Sequence, residues 1–340
     1  MLSPPRSGRN NFGGQTEIMK AAVIYQRGEM PRYADVPDPV AAHDDELLLF
    51  VKASAIKHFD KGRAKATHYS SGSMENARVI GSDGVGLLED GTRVYALGLG
   101  GMVAEKAVIA KNRMVILPAG IDDATAAALP NAIAGAAMGL RFRAGIQPGD
   151  TVLINGATGF TGRVAVQIAR HYGAKRIIAT GRDPGSLQKL LAMGADEIIS
   201  VDQEDEDFVA QVKKIHGDSP LDIIIDYLWG HPAELLLAAL KGDGSFTHRT
   251  RFVSVGSVLG DRIGLSAEVL RSTNLQLTGS GLGSWTRSDM DKLFSDVLPG
   301  MLQLAADGKL TADTTTIRLE DIGSLWERTV ANGQRLVVVM

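Results

Sequence analysis

The segment from residue 151 to residue 182 constrains this chain more than any other. An apolar run is followed at once by Gly156, Gly159 and Gly162, then by an amphipathic helix pattern and a second β-branched run. A strand, a glycine-rich turn, a helix and a strand form the first unit of a dinucleotide-binding fold. Glycines at such a turn leave the backbone N–H groups and the helix N-terminus open to a pyrophosphate. The segment therefore predicts nucleotide binding, and a purely structural turn is the alternative.

The composition is typical of an ordinary soluble globular protein. The chain has 340 residues, 44% of them hydrophobic and 22% charged, which leaves room for about two domains. A net charge of −3 gives no electrostatic reason to expect nucleic acid or a membrane surface as partner. No apolar stretch approaches the ~18 residues of a membrane span. The chain has no cysteine, which excludes disulfides and cysteine-ligated zinc and fits a cytoplasmic location.

The residue pattern of the first part of the chain is typical of a β domain. Residues 1–18 are polar and rich in Pro, Gly and Asn, and we expect a disordered extension there. After it, short apolar runs separated by turn signals predict a compact, largely antiparallel β domain. The predicted strands are 21–25, 46–53, 79–80, 93–97, 102–108 and 114–117.

The second part alternates strands and helices. Asp122 or Asp123 is a plausible helix N-cap, and Pro130 is expected to break or kink the helix that follows. Beyond Gly162 the alternation predicts a parallel sheet covered by helices on both faces. The predicted strands are 176–180, 197–200, 221–226, 251–255 and 274–279, with helices at 185–193, 204–216 and 232–240. The tail predicts helices near 288–306 and 320–331 and a last strand at 335–339.

Three stretches carry a resemblance to a known family. The opening MKAAVIY, the helix DDATAAALP and the run QPGDTVLINGATGFTGRVAVQIAR resemble the medium-chain dehydrogenase/reductase superfamily, in its zinc-independent quinone oxidoreductase-like branch. The resemblance covers essentially 19–340. It implies an α/β fold in which a Rossmann doubly wound parallel sheet is inserted in a GroES-like, mostly antiparallel β catalytic domain. The implied boundaries are 19–121 and 285–340 for the catalytic domain and 122–284 for the NADP-binding domain.

GATGFTGR alone is also similar to the opening of atypical short-chain reductases. Those proteins have it at the N-terminus, whereas about 130 residues precede it here, and its position therefore favours the medium-chain family. Zinc-dependent members of that family hold their metal with cysteines and a Gly-His-Glu segment. The corresponding places here read Lys57 and Gly81-Ser82-Asp83, so no metal is expected.

The end of the second strand of the nucleotide-binding unit predicts the cofactor. It reads Thr180-Gly181-Arg182, with no carboxylate to bind a ribose 2′-hydroxyl and with an arginine placed for a 2′-phosphate. We therefore expect NADPH as the cofactor. Asp183 follows directly and weakens this reading, because it is a carboxylate next to that position. The alternative is that Arg182 is a solvated surface residue. The resemblance adds contacts at strand ends and at the helix after Pro130. The candidate cofactor-binding residues are Asn131, Gly135, Ala157, Thr158, Gly159, Phe160, Thr161, Gly162, Thr180, Gly181, Arg182, Tyr227, Leu228, Val255, Gly256, Ser257, Gly281 and Leu282.

Four candidate catalytic residues lie in the β domain. Lys57 and Asp60 occupy the place where many relatives carry an Asn-Pro-x-Asp type of motif, with Lys57 replacing the Asn. An ammonium near the nicotinamide would stabilise an enolate or quinol anion, and Asp60 would orient Lys57 or simply cap a turn. Enoyl-reducing relatives have a proton-donating Tyr at about the spacing of Tyr69, so Tyr69 or His68 is a candidate donor. An ordinary structural role is the alternative for Tyr69.

The sequence thus predicts a zinc-independent, NADPH-dependent oxidoreductase. Hydride would pass to a quinone or an α,β-unsaturated carbonyl in the cleft between two domains. An enoyl-thioester reductase and a non-catalytic NADPH-binding redox sensor remain alternatives. The predicted strand 274–279 has an uncharged edge, and in relatives the corresponding strand pairs with its copy, so we expect a homodimer.

Overall fold

The computed structural model describes residues 17–65 and 76–340, which form two six-stranded sheets, one three-stranded sheet and the helices around them. The strands are β1 (Ile18–Ile24), β2 (Arg32–Pro37), β3 (Glu46–Ile56), β4 (Arg78–Val79), β5 (Asp83–Leu87), β6 (Arg93–Gly98), β7 (Lys106–Ile116), β8 (Thr151–Asn155), β9 (Arg176–Gly181), β10 (Glu197–Ser200), β11 (Ile223–Asp226), β12 (Thr250–Ser254), β13 (Leu275–Gly279), β14 (Asp313–Arg318) and β15 (Gln334–Val339). The α-helices are α1 (His58–Lys65), α2 (Asp123–Ala137), α3 (Phe160–His171), α4 (Pro184–Ala192), α5 (Asp205–Asp218), α6 (Gly230–Ala239), α7 (Ala267–Ser272), α8 (Arg287–Lys292), α9 (Leu298–Ala306) and α10 (Ile322–Leu325). Short π-helical and 3₁₀ segments cover Met138–Arg143, Leu282–Ser284, Leu293–Val297 and Leu319–Asp321.

The parallel sheet has the order β10-β9-β8-β11-β12-β13, and every pairing in it is parallel. Its first strand, β8, lies inside the sheet, so the chain winds first to one side and then to the other. The strand order reverses between β8 and β11, and such a switch point is where doubly wound sheets bind ligands at the carboxyl ends of their strands. The predicted Rossmann sheet is confirmed.

The second large sheet combines the two ends of the described chain. Its order is β14-β15-β3-β5-β6-β7, and β7 also pairs with β3, so four strands close on themselves as a small barrel. The C-terminal strand β15 lies antiparallel to β3, with Leu336 opposite Ile56. The return of the chain to the β domain agrees with the predicted inserted architecture. The domain boundaries at 121/122 and 284/285 stay predictions.

Helix α2 joins the two large sheets. Asp122 is its N-cap and accepts a hydrogen bond from the Thr125 N–H at 2.9 Å. Its many alanines are buried in the largest apolar core, which also takes in side chains of β3, β5, β8 and β11. Pro130 was expected to break or kink the helix; the break is wrong, because α2 continues to Ala137, and the kink stays a prediction. Proline removes one backbone donor, and burial on both sides of the helix offsets that loss.

Several element predictions differ from the structure. The two strands predicted at 102–108 and 114–117 are wrong as separate elements, because β7 is one strand that pairs first with β3 and then with β6. Its polar stretch 111–113 lies where the partner changes, and this stretch looked like a break in the sequence. The helix predicted at 320–331 is mostly wrong, because α10 ends at Leu325 and the buried Trp326 anchors the turn that follows. The polar elements β2 and α1 and the short α7 were missed, since they lack a clear apolar period.

Of the extension predicted at 1–18, the structure describes only the last two residues. Residues 1–16 lie outside the described residues, so a disordered extension there stays a prediction. Ile18, its last residue, is already the first residue of β1 and faces Pro37 of β2.

Strand β13 lies at the edge of the parallel sheet. In the predicted homodimer, the free edge of this strand would pair with the same strand of a second copy. The homodimer stays a prediction. Within 17–65 and 76–340, no helix is both long enough and apolar enough to cross a bilayer.

Candidate active site

A single cleft of about 1820 Å³ separates the barrel from the carboxyl edge of the parallel sheet. Its walls come from both, and they include α1, the turn before β5, the glycine-rich turn after β8, and the stretch 327–336. Sites for one small ligand occupy roughly 300–1,000 Å³. The cleft therefore has room for a dinucleotide together with a second molecule.

The glycine-rich turn has the shape of a phosphate cradle. Gly156 has a φ of +81°, a left-handed conformation that favours glycine. A Cβ added at Gly162 would come within 2.5 Å of the Ala157 Cα and of the Gly156 carbonyl oxygen, so no larger residue fits. At Gly159 the nearest atom to such a Cβ is 3.7 Å away, so the glycine there leaves open space beside the N-terminus of α3. The turn thus leaves space at the N-terminus of α3, the place where dinucleotide-binding folds hold a pyrophosphate.

A buried polar network fixes this turn. Thr180 at the end of β9 donates from Oγ1 to Asn155 Oδ1 at 2.6 Å and accepts the Gly156 N–H at 3.1 Å. Asn155 donates in turn from Nδ2 to Asp226 Oδ1 at 2.8 Å. Burial raises the pKa of Asp226, and its bonds from the Leu228 and Trp229 N–H groups and from Asn155 oppose that rise. The ends of three neighbouring strands are therefore locked together.

Arg182 lies directly after β9, exposed and on the cleft wall. None of the described side chains forms an ion pair or hydrogen bond with its guanidinium. The carboxylate of Asp183 instead caps α4 by accepting the Ser186 N–H at 2.7 Å, and the Ser186 bonds lower its pKa. Asp183 is thereby occupied at the helix, and Arg182 is the charged group available at the end of β9.

Most of the predicted cofactor residues come together on this wall. Those that line the cleft are Asn131, Gly135, Thr158, Gly159, Phe160, Thr161, Gly162, Gly181, Arg182, Tyr227, Leu228, Val255, Gly256, Gly281 and Leu282. Ala157, Thr180 and Ser257 are not among the lining residues. Ala157 and Thr180 are fully buried beneath the turn, where they support it.

On the opposite wall, Lys57 lies between the end of β3 and the start of α1, with only 2% of its surface exposed. The Asp60 carboxylate accepts the Lys57 backbone N–H at 3.0 Å, as a residue in the first turn of a helix does in a capping box. Lys57 Nζ contacts Asp60 Oδ2 at 3.1 Å, the Ala55 carbonyl oxygen at 3.2 Å and Asp83 Oδ1. An ammonium has three donors. All three donors of Lys57 are therefore used within the protein.

Asp83 and Tyr95 complete this cluster. Tyr95 donates from its hydroxyl to Asp83 Oδ2 at 2.7 Å, and Ser82 donates to Asp60 Oδ1 at 2.9 Å. Burial by itself lowers the pKa of Lys57, but Asp60 and Asp83 raise it above its usual value. Burial and the charge of Asp83 raise the pKa of Tyr95 well above its usual range. At neutral pH the cluster holds a charged lysine between two carboxylates and a neutral tyrosine.

Arg335, the second residue of β15, also lines the cleft and is 7% exposed. Its guanidinium lies over the ring of Phe160, with Cζ 4.4 Å from the ring centroid. Its Nε has no hydrogen-bond partner. Burial lowers its pKa to about 10, against the opposing charges of Asp60 and Asp83.

The structure brings together two of the four predicted catalytic residues. Lys57 and Asp60 share one cluster on the cleft wall, whereas His68 and Tyr69 lie outside the described residues. The sequence analysis missed Tyr95 and Arg335 and treated Asp83 only as a departure from a zinc ligand segment. A lone arginine heading an otherwise apolar strand was the one available signal for Arg335.

The cluster has poor chemistry for zinc. Lys57 presents a charged ammonium already bound to two carboxylates, and the chain has no thiolate. Across residues 17–65 and 76–340, no group of three or more His, Asp or Glu side chains is arranged to hold a metal ion.

Comparison with known proteins agrees with this architecture. The family model described as zinc-binding dehydrogenase matches residues 161–298. A probable NADPH-dependent quinone reductase of Emericella nidulans is 25% identical over 91% of this chain and 96% of its own length. A quinone oxidoreductase of Sus scrofa is 27% identical over 84% of this chain and 87% of its own length.

Solved structures share the fold. The quinone oxidoreductase of Thermus thermophilus, described also in complex with NADPH, superposes with a TM-score of 0.72 at 25% identity, covering 95% of this chain and 100% of that one. The sequence matches and the shared fold support the same assignment. They support the assignment of this chain to the medium-chain dehydrogenase/reductase superfamily, near its quinone oxidoreductase-like members, and they support an oxidoreductase.

Proposed function

We propose that this protein is a zinc-independent, NADPH-dependent reductase of quinones or α,β-unsaturated carbonyl compounds. The observation that carries the proposal is the pairing, in one cleft, of an open glycine-rich turn with Arg182 at the end of β9. The relatives described as quinone reductases support the acceptor class, and one of them is described as NADPH-dependent.

The parallel sheet would bind and orient the cofactor. The N–H groups at the start of α3 would receive the pyrophosphate, and Arg182 would bind the 2′-phosphate through charge-assisted hydrogen bonds. Thr180, Asn155 and Asp226 would keep the turn in its binding shape through the network described above. NADPH, when bound, supplies a hydride to the acceptor and leaves as NADP⁺.

The barrel wall would hold the acceptor. The buried cluster of Lys57, Asp60 and Asp83 would place fixed charges beside the acceptor. Because Asp60 and Asp83 neutralise the Lys57 ammonium and all three of its donors are engaged, we propose that Lys57 acts on a developing oxyanion only by donating a hydrogen bond to it. Direct donation would require it to release the Ala55 carbonyl, its longest bond at 3.2 Å. Positioning of the two reactants would supply most of the rate enhancement.

Zinc has no part in this proposal. The matched family model carries zinc in its description, but the ligand places of zinc-dependent members hold Lys57 and Ser82-Asp83 here. We expect full activity after dialysis against a chelator and no stoichiometric zinc by elemental analysis. Loss of activity that zinc alone restores would contradict the zinc-free mechanism.

A panel of acceptors tests the proposed reaction. The purified chain is assayed with 1,2-quinones, 1,4-quinones and small enones, with NADPH and NADH in parallel, in the wild type and in Arg182→Ala. We expect turnover with NADPH and a KM for NADPH about 10- to 100-fold higher in the variant, the equivalent of one charged hydrogen bond. Arg271→Ala, an exposed arginine on α7 away from the cleft, is the matched control and should leave both values unchanged.

The same panel separates the alternatives. Turnover restricted to enoyl thioesters would favour the thioester reductase. Tight binding of NADPH without oxidation by any acceptor would favour the redox sensor and count against the reductase.

A further inference from the structure

We infer that Arg163 is a positioning residue of the proposed NADPH site, where it holds the two walls of the cleft at a fixed separation. The inference rests on the proposed function for the identity of the cofactor. It adds to the site a side chain that is not among the residues lining the cleft and that acts through residues that are.

Arg163 lies in the first turn of α3, with 4% of its surface exposed. A cation in the first turn of a helix faces the positive end of the helix dipole, which is unfavourable by itself. Burial of a charged side chain is also costly unless its donors are paired. Contacts made by the guanidinium must therefore offset both costs.

The Arg163 guanidinium contacts two separate parts of the chain. Its Nε donates to the Thr158 carbonyl oxygen at 3.1 Å, within the glycine-rich turn of the parallel sheet. Its Nη2 donates to the Asn332 carbonyl oxygen at 3.0 Å, and its Nη1 lies 3.4 Å from Asp313 Oδ2. Asp313 begins β14 and Asn332 lies just before β15, two strands of the second large sheet. We call these three contacts the Arg163 bridge, because they join the two walls.

The two carbonyl groups contribute more to the Arg163 bridge than the carboxylate does. The Asp313 side chain is 57% exposed, so water screens its attraction for the guanidinium. The bond to Thr158 is buried and the bond to Asn332 is partly buried. Hydrogen bonds from a charged donor are about twice as strong as neutral ones. The bridge therefore holds the backbone of both walls.

Gly333 lets the barrel side pack directly on Arg163. It follows Asn332 and has a φ of +80°, a left-handed conformation that favours glycine. A Cβ added there would overlap Nε and Cζ of Arg163. The guanidinium is held by its hydrogen bonds and gives way only by losing them. A larger residue at 333 would therefore open the bridge from the other side.

The residues joined by the bridge surround the place proposed for the cofactor. Thr158, Asn332 and Gly333 all line the cleft, and Thr158 belongs to the turn proposed to face the pyrophosphate. Binding groups must be held within about 0.5 Å of their productive positions by supporting side chains. Arg163 is such a support, because it sets the spacing of two walls that would enclose one ligand.

The experiment titrates NADPH into the full chain by calorimetry, for the wild type, Arg163→Met and Arg163→Lys. Calorimetry reports stoichiometry and Kd separately, so misfolded protein lowers the stoichiometry, whereas a displaced wall raises the Kd. The matched control is Arg170→Met. Arg170 lies on the same helix and also donates to backbone carbonyls, those of Ala174 and Gly194, but it is not among the lining residues.

We expect Arg163→Met to raise the Kd of NADPH about tenfold or more at unchanged stoichiometry, because two charge-assisted hydrogen bonds are lost. Arg163→Lys should recover part of the affinity, and Arg170→Met should stay within about twofold of the wild type. With a quinone, the KM for NADPH should rise in Arg163→Met while kcat at saturating NADPH falls less than about threefold. An unchanged Kd in Arg163→Met, or an equal loss in Arg170→Met, would overturn the inference.

Gly333→Ala tests the same contact without removing the charge, and it serves if Arg163→Met does not fold. It should weaken NADPH binding in the wild-type background and weaken it less in the Arg163→Met background. An unchanged Kd in Gly333→Ala, or the same factor in both backgrounds, would overturn the inference. A wild type that binds NADPH without oxidising it would refute the proposed reaction and leave the binding test intact. A wild type that binds no NADPH would overturn both.

Discussion

Thr180 Oγ1 lies 2.6 Å from Asn155 Oδ1, and this hydrogen bond joins the carboxyl ends of β9 and β8 beneath the glycine-rich turn. The same hydroxyl accepts the N–H of Gly156, whose left-handed conformation starts the turn. One fully buried side chain therefore sets the spacing of two strands and the shape of the loop between β8 and α3.

We predict that Thr180→Val weakens NADPH binding and lowers the free energy of unfolding. The change leaves the Gly156 N–H and Asn155 Oδ1 without their partner, at a cost of about 1–3 kcal/mol. Thr278→Val on β13 is the matched control, because the buried Thr278 hydroxyl has no hydrogen-bond partner. Urea unfolding and NADPH titration should show a loss in the first variant only. Equal effects in both would mean that the network does not shape the turn.

We predict that alanine at Gly162 and at Gly159 has different consequences. At Gly162 the new Cβ meets backbone atoms at 2.5 Å, so the variant should lose roughly 1–3 kcal/mol of stability as overpacked sites do. At Gly159 the backbone tolerates alanine, and only the approach of a pyrophosphate is obstructed. Thermal unfolding should therefore shift for Gly162→Ala alone, whereas NADPH affinity should fall for both. An unchanged affinity in Gly159→Ala would argue against phosphate binding at this turn.

We predict that Lys57→Met destabilises the fold by about 3–5 kcal/mol, because Asp60 and Asp83 would remain buried without their cation. The double variant Lys57→Met/Asp83→Asn removes one of those charges and should recover part of the loss. Chemical unfolding of Lys57→Met, Asp83→Asn and the double variant measures the coupling. If the double variant were as unstable as the sum of its single changes, the three side chains would not act as one unit.

We predict that Arg335→Leu raises the stability of the protein without ligand by about 1–3 kcal/mol at neutral pH, because it removes an unpaired buried charge. Burial lowers the folded-state pKa of Arg335 to about 10, well below its ordinary value. The folded state thus binds fewer protons than the unfolded state above pH 10, and stability there rises with pH. The advantage of the variant should be full below pH 10 and shrink above it. Unfolding of both proteins at pH 8 and pH 10.5 checks the direction, and a gap that widens with pH would contradict it.

Local signals of the parallel sheet predicted most residues of the cleft wall that we propose to bind the cofactor. Thr151 to Asn155, Gly156, Gly162 and Arg182 lie close together in sequence, and each follows from strand, turn or charge rules. The barrel wall joins residues from opposite ends of the chain. Lys57 and Arg335 line the same cleft only because β15 returns to pair with β3, and no local pattern predicts such a pairing.

The same limit applies to Asp83 and Tyr95. Their contact depends on the pairing of β5 with β6, which no local pattern around Asp83 predicts. The polar helix α1, which positions Asp60 under Lys57, has no apolar period to reveal it. Buried polar clusters of this kind follow from tertiary pairing and become visible only in the folded chain.

Single-turnover oxidation of enzyme-bound NADPH by a 1,4-quinone tests the central claim most directly. The enzyme in excess is mixed with NADPH or with NADH, then with the quinone, and the nicotinamide absorbance is followed in a stopped-flow instrument against a reaction without enzyme. We predict a rapid loss of NADPH absorbance, far above the uncatalysed rate, and a slower reaction with NADH. Bound NADPH whose absorbance decays no faster than in the reaction without enzyme would contradict the assignment of this cleft as a quinone reductase site.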